Sequence, residues 1–177
     1  RRAAHDEVKT VDMSLLIASM DNTLHQLGLT FGTLLEDRSR WEQVLAKPTA
    51  APQAAEETYR LCPRFGVIAR HASKDIEVNG FTVPADSWIW ISTRSGGRDE
   101  TKFEDPDNFR MGRPASRALM FGSSHYSCLG ATLARLEITE TMKIIAERFP
   151  NIHLKGDWRK VEGSLVTEVE HLSVSLV

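Results

Sequence analysis

A long run of apolar residues at helical spacing near the start of the chain constrains the fold most strongly. Between about His5 and Leu35, apolar side chains recur at steps of three and four residues: Met13, Leu16, Ile17, Met20, Leu24, Leu27, Phe31 and Leu34. About 30 residues at a rise of 1.5 Å would form a rod of roughly 45 Å, which would cross a whole domain. Gly28 and Gly32 weaken this helix prediction towards its C-terminal end.

Shorter patterns predict the remaining elements. Helices are indicated over Asp37–Leu45, Pro52–Leu61 and Leu129–Phe149, and Asp37 or Ser39 is a candidate cap for the first of them. Candidate strands are Val67–Arg70, Ile76–Val78 and Trp88–Ser92, with Asn79-Gly80 as a turn. Thr93–Phe121 reads as a long irregular loop, and Asn151–Val177 reads as a few strands.

Composition sets the broad class. The chain has 177 residues and a formal net charge of −2, so its overall field gives no reason to expect a nucleic acid or a membrane as partner. No apolar run reaches the roughly 18 residues that span a bilayer. The chain opens Arg1-Arg2-Ala3 without a Met or a signal peptide. We therefore expect a processed, truncated or partly ordered polypeptide.

The two cysteines are interpreted differently. Cys62 is predicted to be a small buried hydrophobic residue. Cys128 ends a loop of small residues and directly precedes a long predicted helix, where free N–H groups and the helix dipole favour a thiolate. Such a sulfur could bind a soft or borderline metal, although an inert buried Cys is the alternative. The wide separation of the two cysteines disfavours a zinc module.

The segment Phe121-Gly122-Ser123-Ser124-His125-Tyr126-Ser127-Cys128-Leu129-Gly130 resembles the heme-binding loop of the cytochrome P-450 superfamily. Phe121, Cys128 and Gly130 match that loop in identity and spacing. The resemblance implies heme b as cofactor and Cys128 as the thiolate ligand of its iron. It also places four further residues around the heme: Phe121, Leu129, Gly130 and Ala134.

Two further elements resemble the same family. Glu57-Thr58-Tyr59-Arg60 has the Glu-x-x-Arg spacing of the family's K helix, and Arg113 would be the third member of that structural set. Arg70 stands where the family usually has an Arg that binds a heme propionate. A guanidinium suits this role because it can donate two parallel hydrogen bonds to a carboxylate.

The segment Ala18-Ser19-Met20-Asp21-Asn22-Thr23 resembles the middle of the family's I helix. The resemblance implies that Ala18 lets heme and oxygen approach, and that the candidate catalytic residues are Asp21, Asn22 and Thr23. Asn22 replaces the usual Thr and Ser19 the usual Gly. An amide has fixed donor and acceptor atoms, so proton delivery is expected to use Thr23 or a substrate hydroxyl, or to matter less, as in radical coupling.

The heme-binding loop also departs from the family pattern. Ser124 replaces a Gly, which would cost on the order of 1 kcal/mol if φ is positive there. Tyr126 replaces the propionate-binding His of many bacterial members. His125 lies beside it, and we prefer Tyr126 as the propionate contact because its hydroxyl can donate to a carboxylate.

The resemblance implies a mainly helical chain with small sheets (α+β). Residues 1–177 would be the C-terminal half of one cytochrome P-450 domain, containing the I helix, K helix, meander, Cys loop and L helix, without the N-terminal half of the fold. It implies a cytoplasmic, bacterial-type monooxygenase of secondary metabolism. Such an enzyme oxidises a small-molecule or peptide substrate with electrons from a ferredoxin or flavodoxin-type donor. The alternative is a non-catalytic relative that acts as a partner or scaffold for another enzyme.

Overall fold

Five helices and four small sheets make up the computed structural model, which describes residues 2–113 and 119–176. The helices are α1 (Arg2–Leu35), α2 (Arg38–Ala46), α3 (Ala51–Leu61), α4 (Thr93–Gly96) and α5 (Ala131–Arg148). The strands are β1 (Val67–His71), β2 (Ile76–Val78), β3 (Phe81–Val83), β4 (Trp88–Ser92), β5 (His153–Leu154), β6 (Arg159–Glu162), β7 (Thr167–His171) and β8 (Val174–Ser175). The prediction of a mainly helical chain with small sheets is confirmed.

Each sheet is a two-stranded antiparallel ladder. β1 pairs with β4, β2 with β3, β5 with β8, and β6 with β7. Asn79 and Gly80 join β2 to β3 with φ of 49° and 83°, the left-handed geometry that Asn-Gly favours in a tight hairpin. The turn predicted at Asn79-Gly80 is confirmed, whereas the strand Phe81–Val83 was not predicted.

The core lies where α2, α3 and α5 pack against the C-terminal part of α1. Its fully buried members include Leu34, Trp41, Ala54, Ile138 and Met142. Asp37 caps α2, since its side chain accepts a hydrogen bond from the N–H of Ser39. This packing fixes the relative positions of α1 and α5, the two helices that flank the cavity described below.

The two glycines of α1 do not interrupt the helix, which continues to Leu35. A Cβ on Gly28 would lie 2.8 Å from a methyl of Val169, and one on Gly32 would lie 2.5 Å from the Trp158 ring. Both positions therefore need glycine for close packing rather than for backbone freedom. The expectation that they weaken the helix was wrong, because they let the β6–β7 hairpin and the residues before it approach α1.

Polar side chains also hold α1 against α3. Gln26 is buried and donates from Nε2 to the carbonyl of Cys62 at 3.2 Å. The hydroxyls of Thr30 and Thr58 lie 3.1 Å apart and share a hydrogen bond. Buried polar groups with such partners fix the register of one helix against another more tightly than apolar contacts alone.

Candidate functional site

The loop before α5 presents a free, exposed thiol. Cys128 lies between a short 3-10 turn at Ser124–Tyr126 and the first residue of α5, and its side chain is exposed. Its N–H donates to the carbonyl of Phe121 at 2.7 Å, and its own carbonyl accepts from Ala131 N–H at 3.3 Å. The backbone is thus tied on both sides of Cys128. The sulfur stands close to the N-terminus of an 18-residue helix.

Two residues of this loop have positive φ. Gly122 has φ of 69°, and a Cβ there would lie 2.8 Å from the carbonyl oxygen of Tyr126. Ser124 has φ of 58°, the left-handed conformation in which a side chain costs roughly 1 kcal/mol relative to glycine. The loop therefore keeps the conformation that glycine would favour although a serine occupies this position.

Phe121 connects the loop to the core. Its ring meets that of Tyr59 edge to face at a centroid distance of 5.3 Å. Arg135 is on α5, and its guanidinium lies 4.4 Å from the centroid of the Phe121 ring. The same guanidinium pairs with Glu56 on α3. Burial raises the pKa of Tyr59 far above its ordinary value, so this side chain stays a neutral phenol.

A cavity of about 1060 Å³ separates the loop from α1. This volume is slightly above the roughly 300–1,000 Å³ typical of ligand pockets. Ten of the predicted site residues line it: Ala18, Asn22, Thr23, Arg70, Phe121, Tyr126, Cys128, Leu129, Gly130 and Ala134. Segments more than 100 residues apart in sequence are thus brought together around one space.

Two predicted site residues do not line this cavity. Asp21 lies on another face of α1, where Oδ2 is 2.7 Å from Arg64 Nη2 and Oδ1 is 3.5 Å from His25 Nε2. His125 is in the 3-10 turn of the loop itself, at Ser124–Tyr126, and is exposed. The roles assigned to these two residues stay predictions.

Arg70 and Tyr126 lie together at one wall of the cavity. The Arg70 guanidinium is 5.3 Å from the centroid of the Tyr126 ring, and Nη1 donates to the carbonyl of Ala69 at 2.8 Å. No carboxylate in the described part of the chain forms an ion pair with Arg70. Its remaining donors can therefore bind an anionic group of a ligand.

Glu57, Arg60 and Arg113 form a buried ionic cluster away from the cavity. Arg60 donates to both Glu57 oxygens at 2.8 and 2.9 Å, and Arg113 Nε donates at 3.1 Å. Burial raises the pKa of Glu57, but the hydrogen bonds from Arg60, from the Arg110 N–H and from Arg113 outweigh it, so the net shift is downward. The cluster joins α3 to the loop that leads to Cys128.

Several residues that shape the site were not predicted from the sequence. Arg64 binds Asp21, and the cavity is also lined by Gln26, Trp90, Leu165 and Val166. A helical projection of α1 could have placed Gln26 on the face of Ser19 and Asn22. Nothing local marks Arg64, Leu165 or Val166, because their positions depend on contacts between distant segments.

The groups around the cavity fit an iron porphyrin that carries carboxylates. One exposed thiol is the kind of soft ligand that heme iron takes, and Arg70 is the kind of cation that binds a propionate. Apolar side chains such as Leu129 and Leu133, which are 87% and 53% exposed, offer flat contact surface beside the thiol. Among the side chains that the structure describes (residues 12–47, 49–113 and 119–176), no group of three His, Cys, Asp or Glu could hold a bare metal ion. Nor does any helix there have the length and apolarity that a membrane span requires.

Comparisons with known proteins agree with these features. Residues 49–172 match the family model described as Cytochrome P-450. The chain is 34% identical to nocardicin C N-oxygenase of Nocardia uniformis, over 98% of this chain and 46% of that protein. It is 33% identical to luteothin monooxygenase of Streptomyces thioluteus, over 89% of this chain and 41% of that protein.

A Bacillus megaterium structure in complex with testosterone superposes with a TM-score of 0.90 at 25% identity, covering 97% of this chain and 48% of that one. The chain thus spans less than half the length of these relatives. It corresponds to the C-terminal portion of their fold.

Proposed function

We propose that this chain, which belongs to the cytochrome P-450 family, supplies the heme-thiolate half of an oxygen-activating site. The family cofactor is heme b. The proposed reaction is the oxidation of a small organic or peptide substrate by dioxygen, with electrons from a ferredoxin or flavodoxin-type donor. The observation that carries the proposal is the convergence of Cys128, Arg70 and Asn22 on one cavity.

Cys128 would hold the iron through its thiolate. The backbone hydrogen bonds on both sides of Cys128 would fix the direction of its side chain at the N-terminal end of α5. Heme bound through a thiolate supplies the electron density that promotes cleavage of the oxygen–oxygen bond. Phe121 would keep the loop in place through its contacts with Tyr59 and Arg135.

Arg70 and Tyr126 would anchor a propionate. The Arg70 guanidinium has donors to spare, and the Tyr126 ring that stacks on it would orient them. The Tyr126 hydroxyl is a second donor, which is why a tyrosine can stand where many bacterial members have a histidine. His125 is less suited because it does not line the cavity.

Asn22 would act as a hydrogen-bond acceptor beside the reacting oxygen. Its Nδ2 donates to the carbonyl of Ala18 at 3.2 Å, and none of the described residues donates to Oδ1. A hydroxyl or amine of the substrate could donate to this oxygen, and Thr23, which also lines the cavity, could relay a proton. We expect an oxidation that would depend less on proton delivery by the residues of this chain, such as radical coupling, or one in which the substrate would supply the proton.

The absorption spectrum of the reduced protein under carbon monoxide tests the core of the proposal. The heme-loaded protein should show the red-shifted Soret band of thiolate-ligated heme, and Cys128→Ser should remove it. Cys62→Ser is the matched control and should leave the band unchanged, because Cys62 is buried away from the cavity. A red-shifted band that survives in Cys128→Ser would refute the assignment of the ligand.

The exposed apolar residues of α1 support a further part of the proposal. Leu15, Leu16, Met20 and Leu24 are each at least 49% exposed. A group of exposed apolar side chains on one helix usually marks a surface that contacts other protein. We propose that polypeptide corresponding to the N-terminal half of the family fold covers α1 and closes the cavity. We further propose that the protein acts in the cytoplasm.

A further inference from the structure

Arg64 belongs to none of the recognised motifs, yet it joins two elements beside the site, α1 and β7. It lies between α3 and β1 and is 4% exposed. Its N–H donates to Gln26 Oε1 at 2.8 Å, and its carbonyl accepts from Thr167 N–H at 2.7 Å. The backbone of Arg64 is thus fixed against α1 on one side and against the start of β7 on the other.

The Arg64 guanidinium is shared between α1 and β7. Nη2 lies 2.7 Å from Asp21 Oδ2, whereas Nη1 donates to the Thr167 carbonyl at 2.9 Å and lies 3.4 Å from Glu168 Oε1. Its Nε is buried, with no hydrogen-bond partner among the described residues. A buried cation needs anionic partners, and the Asp21 carboxylate is the closer of the two.

Asp21 lies on the face of α1 opposite the cavity. Successive residues of an α-helix are rotated by about 100°. Ser19 and Thr23 line the cavity, and each is two residues from Asp21, so both point roughly opposite to it. His25, one turn further on, contacts the other Asp21 oxygen while its Nδ1 accepts from Val169 N–H. Asp21 is therefore attached to the β7 side of the helix.

The geometry points to Arg64 as a positioning residue for the proposed oxygen chemistry. Arg64 fixes Asp21, which is half-exposed, at the solvent side of α1, next to Asn22 on the cavity side. It also connects Asp21 to the end of the β6–β7 turn, where Leu165 and Val166 line the cavity. This inference rests on the proposed function, because it assigns Asp21 to the supply of protons from solvent.

The inference can be tested without a known substrate by measuring the products of oxygen reduction. The protein used is the heme-loaded longer protein, which includes the polypeptide proposed to cover α1. With reduced ferredoxin as electron donor, each oxygen molecule takes two electrons and two protons to give hydrogen peroxide, or four of each to give two water molecules. Poor proton supply should raise the share of peroxide. We expect Arg64→Gln and Asp21→Asn each to raise peroxide released per oxygen consumed by about twofold or more.

The double variant and two control variants decide between positioning and a general structural role. Arg64→Gln combined with Asp21→Asn should release no more peroxide than the stronger single variant, and Arg64→Lys should return the ratio towards the parent value. Glu168→Gln removes the other carboxylate partner and should leave the ratio unchanged. Additive effects of the first two substitutions, or an equal rise in Glu168→Gln, would overturn the inference.

Thermal unfolding provides a second readout that does not depend on turnover. The double variant should lower the melting temperature by clearly less than the sum of the two single variants. The reason is that Arg64→Gln and Asp21→Asn each break the same ion pair. Additive changes would contradict the inference. If the parent protein lacked the thiolate band under carbon monoxide, the proposed function would fail, whereas this unfolding cycle would still report on the ion pair.

Discussion

At the scale of single residues, the two cysteines should differ sharply in reactivity. Cys128 is exposed, whereas Cys62 is 5% exposed, and burial raises the pKa of the Cys62 thiol despite the opposing effect of nearby Lys160. Because the thiolate is the nucleophile, a maleimide at about pH 7 should label the heme-free chain rapidly at one site. Cys128→Ser should abolish this fast phase and Cys62→Ser should preserve it. Two equally fast thiols would contradict the assignment.

A second residue-scale prediction concerns the backbone of the loop before α5. Ser124 has φ of 58°, so Ser124→Gly should relieve about 1 kcal/mol of strain and raise the melting temperature by about 2–4 °C. Ser123 is the matched control: its φ is −149°, an extended conformation that any residue adopts, so glycine there adds only chain entropy. Ser123→Gly should leave the melting temperature unchanged or lower it. The comparison fails if both substitutions act alike.

At the scale of elements, the Glu57 cluster should control how firmly the loop before Cys128 is joined to α3. Removing this carboxylate leaves Arg60 and Arg113 without their buried anion, which should cost about 3–5 kcal/mol. Chemical denaturation of Glu57→Gln measures this loss. Glu104→Gln is the control, since Glu104 pairs with Arg110 at the surface and should change stability by less than about 1 kcal/mol.

The same cluster predicts a pH dependence with a definite sign. Since the folded-state pKa of Glu57 lies below its ordinary 4.5, its stabilisation is fully present above that value and is lost as pH falls through the folded pKa. The difference in unfolding free energy between the parent and Glu57→Gln should therefore shrink in acid below about pH 4.5. A difference that stayed constant would mean that the carboxylate is not charged in the cluster.

Elements with a local cause were predictable from the sequence, and elements with a distant cause were not. The periodicity of α1, the Asp37 cap and the Asn79-Gly80 turn each depend on neighbouring residues, and the predicted helices agree with the structure within a few positions. The close packing of Gly32 against Trp158 joins segments more than 100 residues apart. From the sequence alone, Gly32 was expected only to weaken the helix. No local pattern could have revealed this packing.

The candidate site shows the same division. Ten residues that the family resemblance pointed to do line one cavity, because motif spacing reflects where the elements lie in the fold. Helical periodicity places Asp21 on the face of α1 opposite Ser19 and Thr23, although this was not predicted. Its partner Arg64 could not be found from the sequence, because it is 43 positions away and has no marker in its own sequence neighbourhood.

At the scale of the whole molecule, charged substitutions on the exposed apolar face of α1 should raise the solubility of the 177-residue chain but weaken its packing against the rest of the proposed full fold. Met20 and Leu24 are 66% and 67% exposed, and nothing in the described part of the chain buries them. In the 177-residue chain alone, Met20→Lys with Leu24→Lys should reduce self-association and binding of an apolar dye, with little change in melting temperature. Leu29→Lys, which places a charge at a fully buried position, should instead unfold the chain.

The two lysine substitutions should be harmful rather than beneficial when the chain is tested together with the remaining polypeptide of the proposed full fold. If that polypeptide packs on α1, the two lysines would be buried in the contact, and the protein should lose stability and retain heme less well. Light scattering on the 177-residue chain and heme-release rates on the longer protein measure the two effects. Improved solubility in both contexts would mean that this face of α1 remains in water, and the proposed covering of the cavity would have to come from another side.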